Sequence, residues 1–459
     1  MRAAGEVEYE YLSCAVNRTT HVADWLTVRN DEQCADVYVF GVHKGFAAVT
    51  APQDLHSCAG HREGWGAPAD VYVLKAAPAH DTHAALIVGH YNGALHVFQP
   101  KLRDGQVAWT HDVQLPQAHA SSVTALGVLR DPASVARGAD LFVSGSTDGT
   151  LKVWHLARGP CMQATLVQDI ALGGKYPLDI ALVHLPDAGA EPVTLMAVAL
   201  TDKKVHVYVR EAGTFTLRLA LEGHEDWVRA LDFAVAPRGQ DGVLDVHLAS
   251  ASQDNNLRLW RIQAASAADV PDTDTTDAFE AMARELIPST DQAINTKKNW
   301  LTLHDAQRWA ISLDALLVGH DAWATGVRWL PALDADAQQA ALLSSSMDNS
   351  MIVWSPREPG TSTYPRLADD AASQALWLPV ARLGDVGTLS GGFLSALWHP
   401  AGNAVLTHDR HGATHLWVQD ASTGRYAPCA VVSGHAGAAR GVAWEPYGDY
   451  FLSTGYVHH

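Results

Sequence analysis

The chain has 459 residues, 47% of them hydrophobic and 18% charged, a globular composition rather than that of a disordered chain. Its 32 Lys plus Arg against 50 Asp plus Glu leave a net charge of −18, which argues against wholesale binding to nucleic acid or anionic membrane. Five scattered Cys make no disulfide framework and fit a reducing compartment, and no stretch approaches the ~18 apolar residues of a membrane span.

From the N-terminus, Met1–Glu10 has no apolar leader region, so a secreted protein is not expected and the Asn17-Arg-Thr19 sequon has no route to glycosylation. A divergent first repeat fits Tyr11–Thr50, with strands near Asp36–Gly41 and Gly45–Thr50. His56, Cys58 and His61 form an H-x-C-x-x-H run, but a zinc site needs a fourth ligand, and Gly60-His61 falls where a repeat should turn. Val88–Phe98 reads as a hairpin around Asn92-Gly93. Then come Ala118-His119, an apolar strand at Val123–Val128, and Ser144-Gly-Ser-Thr-Asp148-Gly-Thr-Leu-Lys-Val-Trp154. Gly173-Gly-Lys175 lacks the spacing, the following Ser or Thr and the helix of a phosphate loop. Val198–Tyr208 repeats the hairpin around Asp202.

The pattern is fullest next. Gly223-His224 precedes Ser250-Ala-Ser-Gln-Asp254-Asn-Asn-Leu-Arg-Leu-Trp260, and Gly319-His320 precedes Ser344-Ser-Ser-Met-Asp348-Asn-Ser-Met-Ile-Val-Trp354. Between them, 262–314 reads as a surface insertion: a solvated Ala/Asp/Thr stretch over Ala264–Asp277, then helical spacing over Ala278–Ile287 stopped by Pro288. Asp269–Asp277 is a solvated loop or a docking element for a basic partner. Thr407–Trp417 is a looser seventh unit, and Gly434-His435 opens an eighth whose Asp turn and closing Trp are absent.

A unit of Gly-His, inner strand, middle strand, Asp turn, Trp-ended strand and outer strand is the blade of a β-propeller. The expected fold is all-β: a seven-bladed WD-repeat propeller over 1–433, with 434–459 the truncated start of a further blade or second propeller. The recurring side chains have an architectural use. In blades five and six, His224, Ser250, Asp254 and Trp260, and likewise His320, Ser344, Asp348 and Trp354, are expected to form hydrogen-bonded chains that brace the blade. This reading takes these histidines out of consideration as catalytic bases, and no nucleophile–base–orienter set stands elsewhere. Neither a cofactor nor a metal is expected. The residues just after Gly-His are candidate partner anchors: Asp226, Trp227 and Arg229 in blade five, and Asp321, Trp323 and Arg328 in blade six. The competing reading packs Trp227 and Trp323 between blades.

Particular strings go further. Leu221–Leu231 with Ser252–Ile262, Leu316–Trp323 with Ser346–Pro356, Gly391-Gly-Phe393, His411–Trp417 and Asn17–Trp25 resemble, in order, the WD-repeat subunit family of the Elongator complex. The resemblance covers residue 9 to about 454 and implies two consecutive propellers in the family, the second of which this sequence only begins. It implies a non-catalytic scaffold supporting wobble-uridine modification of transfer RNA in cytoplasm or nucleus. Its expected partners are Elongator complex protein 1 and Elongator complex protein 3, with no membrane and no direct nucleic-acid binding. A generic WD-repeat adaptor that takes a peptide at the central channel is the other reading.

Overall fold

Short alternating segments closed by Asp and Asn turns fold as strands, and every regular element among the described residues is a β-strand. A computed structural model describes residues 23–29, 34–42, 45–49, 61–63, 71–77, 85–103, 106–129, 141–157, 162–185, 193–211, 213–235, 245–264, 299–302, 308–330, 340–357, 376–384, 391–433, 435, 437–444, 448 and 451–455. Asn17, His56, Cys58, Asp269–Asp277 and the helix expected over Ala278–Ile287 lie outside the described residues.

The first sheet holds β1 (Ala23–Arg29), β2 (Cys34–Val42), β3 (Gly45–Val49) and β4 (His61–Glu63) in sequential order. His61 therefore opens the fourth strand of the first sheet rather than the turn into the second. The second sheet holds β5 (Val71–Ala77), β6 (Ala85–His90), β7 (Leu95–Arg103) and β8 (Gln106–Leu115). The third holds β9 (Val123–Val128), β10 (Leu141–Ser146), β11 (Thr150–Ala157) and β12 (Gln163–Ala171), and the fourth β13 (Pro177–Leu185), β14 (Val193–Leu200), β15 (Val205–Glu211) and β16 (Thr214–Leu221).

The fifth sheet differs. After β17 (Val228–Val235), β18 (Asp245–Ser252) and β19 (Leu257–Ala264) come β20 (Asn299–Thr302) and β21 (Arg308–Leu317), in the spatial order β17-β18-β19-β21-β20. The inserted segment is thus narrower than 262–314. The sheet takes both of its ends, and β20 adds a fifth strand at the edge.

The sixth sheet holds β22 (Ala324–Trp329), β23 (Leu342–Ser346), β24 (Met351–Arg357) and β25 (Leu376–Leu383). The seventh has the order β26 (Phe393–Trp398), β27 (Ala404–Asp409), β28 (Ala413–Gln419) and β29 (Tyr426–Ser433). A two-stranded sheet, β30 (Ala439–Trp444) and β31 (Phe451–Gly455), ends the described chain. Among the described residues this is the all-β architecture of WD-repeat propeller blades, seven sheets of four or five strands followed by one of two strands.

The chain divides into two compact units, one of residues 1–177, 399–420 and 427–459, the other of 178–398 and 421–426. In the first, Ile87, Leu95 and Val97 pack with Val123, Leu126, Phe142 and Trp154. Val442, Trp444 and Phe451 of the final hairpin pack on Ala404, Leu406 and Leu416. In the second, Leu195, Ala197 and Val207 meet Leu248, Trp260 and Ile262, and Ala249 and Leu259 meet Val327, Ile352, Trp354 and Trp377. Burial explains the sequence pattern. The second strands β6, β10 and β14 are covered along their whole length and read as apolar runs, whereas the outermost β12 and β29 are largely exposed.

The turns explain the Asp-Gly and Asp-Asn pairs. Gly149, Asn255 and Asn349, each after the turn Asp, have φ of 81°, 71° and 64°, the left-handed region that Gly and Asn enter most readily.

Candidate functional site

Each turn carboxylate is held by its own loop before it meets a histidine. Asp254 Oδ1 accepts Asn256 N (2.9 Å), and Oδ2 accepts Glu225 N from the Gly-His loop (2.9 Å). The same Oδ2 lies 2.8 Å from His224 Nδ1. An ionised carboxylate only accepts, so Nδ1 carries the proton and Nε2 is left as an acceptor. Ser250 Oγ, 2.8 Å from Nε2, then donates to it and accepts the Trp260 indole N–H at 3.3 Å. The chain runs indole to hydroxyl to imidazole to carboxylate, with a donor and an acceptor at every link.

Blade six repeats it. His320 Nδ1 faces Asp348 Oδ2 at 3.3 Å and Ser350 Oγ at 3.2 Å, His320 Nε2 faces Ser344 Oγ at 2.8 Å, and Trp354 Nε1 donates to Ser344 Oγ at 2.9 Å. Blade three holds a third set whose histidine follows Ala118 rather than Gly. His119 Nε2 faces Ser144 Oγ at 2.7 Å, Trp154 Nε1 donates to the same oxygen at 2.9 Å, and His119 Nδ1 lies 3.2 Å from Asp148 Oδ2. Blades four and seven use a shorter device inside one hairpin: Asp202 with His206 (2.9 Å) and Asp409 with His415 (3.1 Å). In the final hairpin His435 Nε2 faces Ser453 Oγ at 2.8 Å.

The electrostatics follow from burial and bonding. Burial pushes His119 and His224 below the usual imidazole value, against the pull of their aspartates, so both stay neutral at pH 7. Burial alone would raise Asp148, Asp254 and Asp348, but the hydrogen bonds they accept outweigh it and hold all three below the usual carboxylate range. These histidines brace blades; their ring nitrogens are committed to neighbouring blade residues.

The candidate anchors separate. Asp226 Oδ1 accepts the Trp227 N–H (2.8 Å), Trp227 is half-buried, and Arg229 is exposed with no hydrogen-bond or ion-pair partner among the described residues. Asp321 donates its backbone N–H to Asp348 and pairs its carboxylate with Arg382 at 3.3 Å. Trp323 is 51% exposed, whereas Trp154, Trp260, Trp309, Trp354 and Trp417 are all buried. Arg328 lies within β22, its Nη1 donates to the Val327 carbonyl (2.8 Å), and its own carbonyl accepts the Trp398 indole N–H (3.1 Å).

Sequence reasoning missed the bonds that join neighbouring blades. Asp179 Oδ2 accepts Leu231 N (2.9 Å), and Asp232 Oδ2 accepts Trp329 N (2.8 Å) while its carbonyl accepts Trp329 Nε1 (3.1 Å). The only signal available was an Asp inside an otherwise apolar inner strand. Among the described residues, no cluster of three His, Cys, Asp or Glu is arranged to hold a metal, and no helix is long and apolar enough to cross a membrane.

Two segments, 112–155 and 215–261, match the family model described as WD domain, G-beta repeat. They include the chains of blades three and five. Curated relatives align over most of the sequence. A protein named Elongator complex protein 2 from Danio rerio is 28% identical over 99% of this chain and 48% of its own length. One of the same name from Homo sapiens is 29% identical over 69% of this chain and 34% of its own, and one from Schizosaccharomyces pombe is 33% identical over 61% and 32%. The chain thus spans about half of the first relative's length and about a third of the other two.

Proposed function

The chain is a WD-repeat protein similar to Elongator complex protein 2, and from that premise we propose that it is a non-catalytic scaffold subunit of an Elongator complex. The observation that carries the reading is the alignment of 99% of the chain with a relative of that name. The geometry supports it in kind. The histidines of blades three, five and six spend both ring nitrogens on residues of the blade frame. A rigid frame that presents variable loops suits docking of several proteins at once.

In this reading the chain holds Elongator complex protein 1 and Elongator complex protein 3 together by protein contacts. It thereby supports modification of the wobble uridine of transfer RNA, in the cytoplasm or nucleus. The net charge of −18 favours protein partners over naked RNA.

The test is affinity isolation of the tagged chain from its own cells, with mass spectrometry of the co-purified proteins and nucleoside analysis of transfer RNA after its depletion. Recovery of both Elongator proteins in stoichiometric amount, with loss of the wobble modification, is expected. Their absence from the isolate, or unchanged modification, overturns the proposal.

A further inference from the structure

The turn after the middle strand has the same side-chain bond in five blades. In blades three to six, Oδ1 of Asp148, Asp202, Asp254 and Asp348 accepts the N–H two residues on, at 2.8–3.2 Å. Blade two makes the bond with Asn92, whose Oδ1 accepts Ala94 N at 3.1 Å. The match with blade four is closest. His90 N donates to the Ala94 carbonyl (3.0 Å) as Leu200 N does to the Lys204 carbonyl (3.4 Å), and Gly93 and Lys203 both take left-handed φ, 85° and 69°. Four residues after the turn residue each blade has a histidine, His96 or His206. In blade four, His206 Nε2 lies 2.9 Å from Asp202 Oδ2. Asn92 differs from Asp202 by one group, an amide nitrogen in place of the second carboxylate oxygen.

Asn92-Gly93 is also the only Asn-Gly pair in the sequence, and Asn92 is exposed. Asparagine is a thermolabile residue, and a following glycine puts no side chain in the way of its own peptide nitrogen. The side chain is folded back over the next peptide in an Asx turn. The Ala94 N–H on Oδ1 polarises the amide carbonyl and stabilises the charge that attack on Cγ would place there.

We propose that Asn92 is a latent aspartate: water converts it without an enzyme, and the fold steers the product to aspartate rather than isoaspartate. The Gly93 nitrogen bonds to Asn92 Cγ, the Cγ–Nδ2 bond breaks, and ammonia leaves with the Gly93 proton, closing a succinimide. Water then opens the ring at either carbonyl. Opening at Cγ restores the ordinary backbone with an aspartate; opening at the main-chain carbonyl leaves the chain running through Cγ as isoaspartate. In sum, one water enters and one ammonia leaves, with no change of oxidation state.

The two products meet different constraints. Aspartate keeps the backbone and, as in blade four, offers a carboxylate to the histidine four residues on, His96. Isoaspartate adds a main-chain carbon between two clamps: the Tyr91 carbonyl accepts Ser122 Oγ–H (2.8 Å), and the Gly93 carbonyl accepts His119 N–H (3.0 Å). There is no slack, since a Cβ on Gly93 would stand 2.2 Å from the His119 carbonyl oxygen and 2.7 Å from that of Ser121. Lengthening the turn therefore pushes on His119, which belongs to the hydrogen-bonded chain of blade three. None of this draws on the scaffold reading.

The test incubates the full chain at mildly alkaline pH, native and in denaturant. Liquid chromatography with mass spectrometry then separates the asparagine, aspartate and isoaspartate forms of the peptide that carries residue 92. In the native chain Asn92 should convert faster than Asn255 and Asn349, and its ratio of aspartate to isoaspartate should be several-fold higher than in the denatured chain. Asn92→Asp should melt above the wild type, and the gain should vanish when both carry His96→Gln. The isolated isoaspartate form should melt below the wild type and exchange the His119 N–H faster. Asn92→Ser, which keeps an oxygen for the Ala94 N–H but has no amide to lose, should abolish the conversion.

Native conversion no faster at Asn92 than at Asn255 and Asn349 overturns the proposal. So does an equal product ratio in native and denatured chains, or Asn92→Asp melting no higher than the wild type.

Discussion

Ser344 Oγ is the junction of blade six, taking the Trp354 indole N–H and facing His320 Nε2, all within the buried interior. Ser344→Ala leaves two buried polar groups without a partner at once, which should cost ~3 kcal/mol. Trp354→Phe removes a single donor and leaves the serine bonded to His320, so its cost at the hydrogen bond should be nearer ~1 kcal/mol. Chemical denaturation of both variants checks the order. If Trp354→Phe proves the costlier, packing rather than the hydroxyl junction governs the blade. Lys203 gives a prediction of opposite sign. It stands where other turns have Gly or Asn and is held at φ 69°, so Lys203→Gly should stabilise by about 1 kcal/mol, read as a raised midpoint. At this scale the sequence was most informative. Ser, Asp and Trp recur at fixed spacing, with the His 24 to 26 residues before the Ser, because one hydrogen-bonded chain needs all four. The set around His119 was fainter, because Ala118 stands where blades five and six have Gly.

A strand brings in partners that no local pattern announces. The bulges at Thr124, Arg229 and Thr325 each insert one residue that the partner strand does not match, which only the strand pairing shows. The carboxylates of Asp179 and Asp232 reach backbone donors 52 and 97 residues away, a separation only the folded chain can show. The edges of the 262–314 segment were misplaced for a related reason. Leu301 and Trp309 are buried apolar residues that join the fifth sheet, yet they lie inside bounds drawn from the solvated stretch Ala264–Asp277 and the helical spacing over Ala278–Ile287. The interblade ties make a prediction at this scale. Thr325→Val keeps the shape but removes the donor to the Phe393 carbonyl, and should lower stability by about 1 kcal/mol. Hydrogen exchange should report the loss locally, with faster exchange in β22 and β26 than in β17. Uniform acceleration across the second unit would instead show that the tie contributes to global stability alone.

Across the whole chain, acid should be destabilising, although two effects oppose each other. The net charge of −18 declines as pH falls toward the isoelectric point near 5.6, which relieves self-repulsion. Against this, burial lowers His119, His224, His247, His408 and His435 in the folded state, and His408 is pushed down to about 4. The unfolded chain, with imidazoles near 6.5, then binds more protons than the folded one, and stability falls as pH falls. The contribution of these histidines is fully present above about pH 6.5 and is lost as pH drops toward their folded values, for His408 between about 6.5 and about 4. His408 alone is worth on the order of 3 kcal/mol over that span. Asp148, Asp254, Asp348 and Asp409, held low by the hydrogen bonds they accept, add a second loss below about pH 4. The histidines should win. Surface repulsion is screened within ~8 Å at physiological salt, whereas a buried imidazole is not. The melting temperature should therefore fall steadily from pH 7 to pH 5, through the isoelectric point, with a slope that persists when salt is doubled. His408→Leu should flatten it. A melting temperature that peaks near pH 5.6 and loses its pH dependence in salt would show that net charge governs instead.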